Sequence, residues 1–385
     1  MIKRIADKTR QNGLGWVARR IAVEIASPQR ISGKLINPLL RMGARSRRGG
    51  ESPGAADALL VVYDLMVEPN TFDVLWFLMA AEHRRRTLGL AALHVVFAGT
   101  PIGQERKEAA EYYKVVSRAS WRDRFTNILA PLAWAMPSVR DVEILHDRRE
   151  VKARVASWRP AHLFPEDYVV DFYPTRSCDW PYMVMRGPAG REVGGVFRAS
   201  EAALDYVDRW LAARGGTGRA VSITTRHYDY NPARNSDLQA WARFATYLRE
   251  RGYMPVFIPD TESLAAGPAA EIAEFPHFSE AAWQLHLRLA FYERAYLNLG
   301  INNGPAFLYL LDDRAKGIMF KIVTQGVEQN EAAYLIKQGF EIGGQIPFCS
   351  PFQKRVWEND SFEVIRREFE AMEHAIGAAV SRSGA

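Results

Sequence analysis

Two short stretches of this 385-residue chain put phosphate-binding side chains where a strand should give way to a helix. The first follows the apolar run Ala220–Thr224 and reads Thr225-Arg226-His227-Tyr228-Asp229-Tyr230-Asn231-Pro232-Ala233-Arg234-Asn235. At such a junction, free backbone N–H groups and the positive end of the following helix attract anions. A planar guanidinium binds phosphate oxygens in pairs, so Arg226 and Arg234 suit a diphosphate, with Thr225 and Asn235 beside them as further candidate ligands. The plainer alternative is a solvated loop whose arginines pair with Asp229 and Asp237. The second stretch, Asn302-Asn303-Gly304-Pro305, follows the run Ala295–Ile301. Asn-Gly favours a sharp turn and Pro the first helical position, so a second helix start is expected here, although a plain turn has the same composition.

Several common chemistries are missing from the letters. There is no Asp-x-Asp (Asp260-Thr261-Glu262 is the nearest), no His-Glu-x-x-His and no Cys-x-x-Cys. No metal site is therefore expected, with arginines and helix ends standing in for a cation. The Walker sequence and the Gly-x-Ser-x-Gly elbow are absent too, which excludes the common ATPase and α/β-hydrolase readings. Gly13-Leu-Gly15-Trp-Val-Ala18 fits a dinucleotide fingerprint in letters, but polar Lys8–Asn12 stands where a buried strand is required. Near the end, Pro347–Phe352 and Trp357-Glu358 form an aromatic-rich segment. Its rings could stack on a nucleotide base while Glu358 accepts from ribose hydroxyls; the favoured reading is a hydrophobic latch for the last helix.

The elements that must position these residues follow from periodicity. Ala58–Leu65 and Leu93–Ala98 read as buried parallel strands flanking a helix over Thr71–Leu88, a βαβ unit. Val142–Leu145 and Tyr168–Phe172 are further expected strands, with Arg148–Ser157 helical or strand-like between them. A helix over Ala199–Ala213 lies between two glycine-rich stretches, Gly187–Gly195 and Arg214–Gly218. The second βαβ pattern is clearer. Strand Ala220–Thr224 leads to a helix opened by a Ser236…Gln239 capping box and closed by Gly252, then strand Met254–Ile258. Helix Leu285–Arg294, strand Ala295–Ile301, helix Pro305–Leu311, strand Gly317–Val323 and a long helix Ser361–Val380 complete the chain. The expected fold is α/β with two Rossmann-like domains facing each other across a cleft. The expected bounds are a basic helical segment 1–50, a first domain 51–195, a second domain 196–360 and a terminal helix 361–385.

A strand, an Arg-bearing loop and a later Asn-Gly-Pro turn opening a helix resemble the donor half of the GT-B-fold glycosyltransferases. Asn303-Gly304-Pro305 looks like the phosphate-side turn of the heptosyltransferase group. Ser222-Ile-Thr-Thr-Arg226-His-Tyr-Asp229 is similar to the His-x-Arg…Asp element of the fucosyltransferase superfamily, with Thr224 in place of its histidine. The resemblance implies a metal-independent transfer of a sugar from a nucleoside-diphosphate sugar to a glycan or lipid-linked acceptor, in bacterial surface polysaccharide synthesis. Arg226 would hold the diphosphate, with Asn302, Asn303 and Gly304 as its helix-end support. No cofactor is expected beyond the nucleotide sugar as substrate. An inverting transfer also needs a base. Asp64 at the end of the first strand, Glu68 four residues on and Asp171 at the end of Tyr168–Phe172 are the candidates, each with a cap or surface pair as its plainer role. An epimerase or hydrolase on the same fold, or a non-catalytic sugar-nucleotide-binding relative, are the alternatives.

Composition agrees with a soluble globular protein, at 48% apolar and 24% charged residues. Cys178 and Cys349 are far apart, so neither a disulfide framework nor a zinc site is expected and a reducing, cytoplasmic location is. No run reaches the ~20 apolar residues of a membrane span. Charge is uneven. Residues 1–50 hold twelve Lys and Arg against Asp7 and Glu24, a net of +10, in a chain whose total is +6. Trp16, Val17, Ile21 and Ile25 recur at helical spacing beside Arg19 and Arg20, the pattern of a peripheral membrane helix or of a surface helix packed on the body. Nucleic acid is not an expected partner, since no aromatic–basic interleaving follows.

Overall fold

The computed structural model of the chain describes residues 57–66, 68–99, 122–166, 168–170, 179–187, 192–228, 231–261, 264 and 267–383. The basic segment 1–50 and Asp171 lie outside the described residues. Two compact units result, one from Met1–Glu68, Arg84–Arg106 and Arg140–Ser177, the other from Pro69–His83, Lys107–Val139 and Cys178–Ala385.

The first unit carries a four-stranded sheet in the order β3-β2-β1-β4. Strand β1 (Ala58–Asp64) is buried at all seven positions, as an apolar run covered on both faces must be. It pairs in parallel with β2 (Ala92–Ala98), from Ala58 opposite Ala92 to Asp64 opposite Ala98. Helix α1 (Val74–Thr87) lies between them in sequence and ends in Arg84, Arg85 and Arg86, cations that suit a helix C-terminus. Strand β3 (Val139–Leu145) leads into helix α2 (Arg148–Ala156), whose Asp147 cap accepts from Arg149 N at 2.7 Å. Val151 and Val155 of α2 pack with Leu60, Val62 and Val96 of the sheet. The fourth strand, β4 (Leu163–Phe164), was not expected; it pairs with β1 at Leu60–Leu163 and Val61–Phe164, while the expected strand Tyr168–Phe172 lies partly outside the described residues. Pro165 follows at once and has no N–H to carry the ladder further.

In its last and longest part the second unit runs through helices α3 (Asp179–Arg186) and α4 (Glu201–Ala212). Its sheet follows: β5 (Ala220–Thr224), α5 (Leu238–Glu250), β6 (Met254–Ile258), α6 (Leu285–Arg294), β7 (Leu297–Ile301), α7 (Ala306–Leu310), β8 (Gly317–Phe320), β9 (Gln353–Arg355) and α8 (Phe362–Ser383). The strand order is β6-β5-β7-β8-β9, and each adjacent pair is parallel. Trp241, Phe244 and Leu248 of α5 and Ile365, Phe369 and Met372 of α8 join one core over Ile223, Leu299 and Phe320. One buried polar pin fixes register between the central strands, Ser222 Oγ donating to Asn298 Oδ1 at 2.6 Å, and a second ties β5 to α6, Thr224 Oγ1 lying 2.7 Å from Tyr292 Oη. The capping box at Ser236 does not form. Arg226 takes both groups the box would need, its N–H donating to Ser236 Oγ at 2.9 Å and its carbonyl accepting from Ser236 N at 2.9 Å, and Asp237 caps α5 instead by accepting from Ala240 N at 3.1 Å. Strand β9 has no apolar signature and was not expected; its Gln353 and Arg355 are nonetheless buried.

Burial lowers the pKa of His286 in α6 from its ordinary 6.5. The unfolded chain then binds more protons than the folded one below about pH 6.5, so stability is full above that value and falls as the pH drops through the depressed folded one. Urea unfolding at pH 7.5 and 5.5 should show a smaller pH-dependent loss in His286→Gln than in the wild type.

Candidate functional site

The chain runs from β5 outward to β6 and returns across β5 to β7, so its winding reverses between β5 and β7. At such a reversal, loops leave neighbouring strands in opposite directions and open α/β sheets hold their ligands there. The two stretches singled out in the sequence follow β5 and β7. Thr225 is buried, and its N–H donates to Ile258 O at 3.2 Å, continuing the ladder one step past β5. Arg226 is 6% exposed. Its N–H donates to Ser236 Oγ at 2.9 Å, and its Nη1 donates to Asn231 O at 3.2 Å and to Asn235 Oδ1. Asn235 closes the loop with a pair of bonds to Tyr228, accepting from its N–H and donating to its carbonyl, both at 3.1 Å. Asn231 takes the left-handed conformation at φ 55°, which Asn tolerates better than most residues. Arg234 Nη2 donates to Asn302 O at 3.0 Å and so joins the β5 loop to the β7 turn.

In that turn Asn302 Nδ2 donates to Ile322 O at 2.9 Å. Asn303 Oδ1 accepts from Ala306 N at 2.9 Å, which caps α7. Among the described residues its Nδ2 has no hydrogen-bond partner, although the residue is only 5% exposed. Helix α7 is shorter than the expected Pro305–Leu311, at five residues. One turn sums few peptide dipoles, so the polar character of this corner comes from the Asn303 amide more than from a macrodipole. Gly304 leaves room for nothing larger, since a Cβ there would lie 2.6 Å from Phe72 Cβ.

Lys321 and Asp360 join the cluster and were not anticipated. Lys321 follows β8 at φ 54°, with Nζ 2.8 Å from Asn235 O and 3.7 Å from Asp360 Oδ1. Asp360, 2% exposed, also accepts from Trp241 Nε1 at 2.9 Å. A cation at the end of an apolar run was the one signal available, and the expected strand Gly317–Val323 absorbed it. Glu358 touches the group through its backbone, accepting from Lys321 N at 2.9 Å. Its carboxylate is exposed and ion-paired to Arg367 of α8.

In the first unit, Asp64 ends β1 at the corresponding reversal between β1 and β4. Arg148 Nη1 and Nη2 donate to its two oxygens at 2.9 Å each, Tyr168 Oη to Oδ2 at 2.6 Å, and Met66 N to Oδ1 at 3.0 Å. Four donors match the roughly four lone-pair sites of a carboxylate, which makes Asp64 the anchor of its loop. Glu68 is buried in the same loop, its N–H donating to Asp64 O at 2.8 Å. Among the described residues one group, His94, Asp141 and Glu143, brings three potential metal ligands within 4.8 Å. Its members already pair internally, His94 Nε2 with Glu143 Oε1 at 2.5 Å, and Arg154 holds Glu143 at 2.9 Å. No described helix is long and apolar enough to cross a membrane.

The fold is similar to that of the family 9 glycosyl transferase from Veillonella parvula, at 11% identity over 71% of this chain and 82% of that one, with a TM-score of 0.45. The E. coli ADP-heptose LPS heptosyltransferase II is 11% identical over 82% of this chain and 98% of its own, also with a TM-score of 0.45. The wall teichoic acid polymerase TagF covers 89% of this chain and 92% of its own at 8% identity, with a TM-score of 0.27. No protein-family model matches the sequence, and neither does any curated protein.

Asp64→Asn leaves the Arg148 guanidinium without its buried counter-charge and should lower unfolding stability by about 3 kcal/mol in urea titrations. Gly304→Ala should cost about 1–3 kcal/mol by the same measurement, because the Phe72 Cβ it meets is fixed to the backbone.

Proposed function

We propose that the chain is a glycosyltransferase that takes its sugar from a nucleoside-diphosphate donor without a metal ion. One observation carries the reading: the Arg226 loop and the Asn302–Gly304 turn meet at the β5/β7 reversal, tied by the Arg234–Asn302 bond, with the unpartnered Asn303 Nδ2 in the same corner. Arg226 and Arg234 supply guanidinium donors to the diphosphate, Asn303 an amide, and Thr225, Asn235, Asn302 and Gly304 the shape of the corner. Lys321 adds a third cation at the ends of the same strands.

In the transfer, an acceptor hydroxyl oxygen bonds to the anomeric carbon as the bond from that carbon to the diphosphate oxygen breaks. The hydroxyl proton passes to a base, and the nucleoside diphosphate leaves. Charge grows on the leaving oxygen, and fixed guanidinium and amide donors stabilise it more than water does. The first unit takes the acceptor, a glycan or lipid-linked saccharide of a bacterial surface polymer, with the basic segment 1–50 lying against the inner membrane face. Asp64, Glu68 and Asp171 remain the candidate bases, although Asp64 has its lone pairs engaged. Glu358 contacts the ribose only if it leaves Arg367. That same engagement of Asp64 favours, as a second reading, a nucleotide-binding protein without transfer activity.

Calorimetric titration with GDP, UDP, ADP and CMP in the presence of a chelator tests the donor site. One nucleoside diphosphate should bind, and Arg226→Ala should weaken it roughly 10- to 100-fold, the loss of one or two hydrogen bonds to a charged group. Arg226→Lys, which keeps the charge, should fall between. Absence of binding at millimolar concentrations overturns the reading. Binding without product when donor and candidate acceptors are mixed moves the second reading ahead.

A further inference from the structure

Away from the β5 and β7 loops, strand β9 carries a cation that the function above does not use. Arg355 is 2% exposed. It faces the same side of the sheet as Gln353, whose Nε2 donates to Tyr309 O at 3.1 Å. Arg355 Nη2 donates to Gly344 O at 2.8 Å, while Nε and Nη1 have no hydrogen-bond partner among the described residues. Its guanidinium carbon lies 4.9 Å from the centre of the Phe340 ring and 5.3 Å from that of Trp357. The backbone around it is well held. Gln345 accepts from Arg355 N at 2.6 Å and donates to Arg355 O at 2.9 Å, in place of a further strand. Trp357 Nε1 donates to the same Gly344 carbonyl at 3.1 Å. Over the site runs the 341–347 segment, exposed at Glu341, Ile342, Gly343, Gln345 and Pro347, with Gly343 at φ 79°.

A buried cation with orphaned donors is costly in a folded protein, and cations so placed are ordinarily paired. Burial presses the Arg355 pKa down to about 10, and the only opposing influence is the Cys349 thiol, itself pushed up to about 12 by burial and so protonated at neutral pH. Arg355 therefore keeps its full charge near pH 7 with no acidic partner among the described residues. The three N–H bonds of Nε and Nη1 remain available for an acceptor.

We propose that Arg355 is the anchor of a second ligand site, beneath the 341–347 segment, that takes a single carboxylate group. Charge decides the class. One guanidinium between two aromatic rings is neutralised by one monoanion, whereas a phosphate dianion would leave a net negative charge in apolar surroundings. The two rings add flat apolar walls for the carbon skeleton that bears the carboxylate. The site stands apart from the glycosyltransferase reading and survives that reading's failure.

The test uses the full chain with acetate as the probe, at fixed ionic strength balanced with chloride, and inorganic phosphate as the comparison. Acetate should raise the thermal midpoint of the wild type saturably, by about 1–3 °C. Arg355→Met should lose that response. In the absence of probe it should unfold at or above the wild-type temperature, because it removes an uncompensated buried charge and fills the space with an apolar side chain. Arg355→Lys, which keeps the charge but not the multiple donors, should respond less than the wild type. A wild type indifferent to acetate overturns the proposal, and so does an equal response in Arg355→Met. A phosphate response larger than the acetate one, and dependent on Arg355, overturns the carboxylate assignment. A marked drop in the probe-free midpoint of Arg355→Met makes Arg355 a structural plug instead.

Discussion

Parallel pairing of β5 with β7 is the constraint from which the second unit follows. The two strands run side by side from Val221 opposite Leu297 to Thr224 opposite Gly300, although some seventy residues separate them in the chain. The pairing needs Gly300: a Cβ there would stand 3.0 Å from the Thr224 carbonyl oxygen. It also needs the Ser222–Asn298 bond, which a slip of one residue would turn to the other face of the sheet. With β6 outside β5 and β8 outside β7, the connections leave to opposite sides. The strand ends between them stay uncovered by crossover helices, and that is where polar side chains gather.

What holds those side chains in place comes from far along the chain. Asp360 stands just before α8 and is buried. It accepts from Asp237 N and Trp241 Nε1, which fixes the start of α5, and it faces the Lys321 ammonium. Lys321 in turn clamps the Asn235 carbonyl, and the Asn235 side chain accepts from Arg226. A buried carboxylate on the terminal segment thus reaches Arg226 through two intervening side chains. In a low-dielectric setting such linked bonds reinforce one another, so the loop after β5 is ordered by α8 as much as by its own sequence.

The contrast between what the letters revealed and what they hid has the same origin. Ala220–Thr224, Met254–Ile258 and Leu285–Arg294 were legible to the residue, because apolar runs and stripes bounded by glycine or charge are local signals. Strand β9 was hidden: Gln353-Lys354-Arg355 has no apolar letter and is held as a strand only by pairing with β8. The Ser236 capping box was a sound local pattern defeated by the Arg226 backbone, which holds both the Ser236 hydroxyl and its N–H. Likewise the loop arginines and the Asn303 turn announced themselves, but Lys321 did not, since its partner Asn235 lies 86 residues earlier. The candidate residues that gather at one corner are those on short strand-to-helix junctions. Those that stand apart, Asp64 and Glu68, lie in the other unit, and Glu358 meets the corner only through its backbone.

Asp64 and Asn303 occupy equivalent places, each near the carboxyl end of a strand beside a winding reversal, and their hydrogen bonding separates their roles. Asp64 receives donors from Arg148, Tyr168 and its own loop, all within the first unit, so the bonds of that carboxylate are completed by folding alone. Asn303 uses its oxygen for the Ala306 cap and leaves its amide nitrogen buried without an acceptor. A buried amide donor of this kind is destabilising by about 1–3 kcal/mol until something accepts from it. Phe72 pressed against Gly304 keeps the turn from relaxing to find that acceptor within the protein. The same packing that prevents an internal solution makes the amide available to an external one, and an oxygen-rich ligand held by Arg226 and Arg234 would supply the missing acceptor.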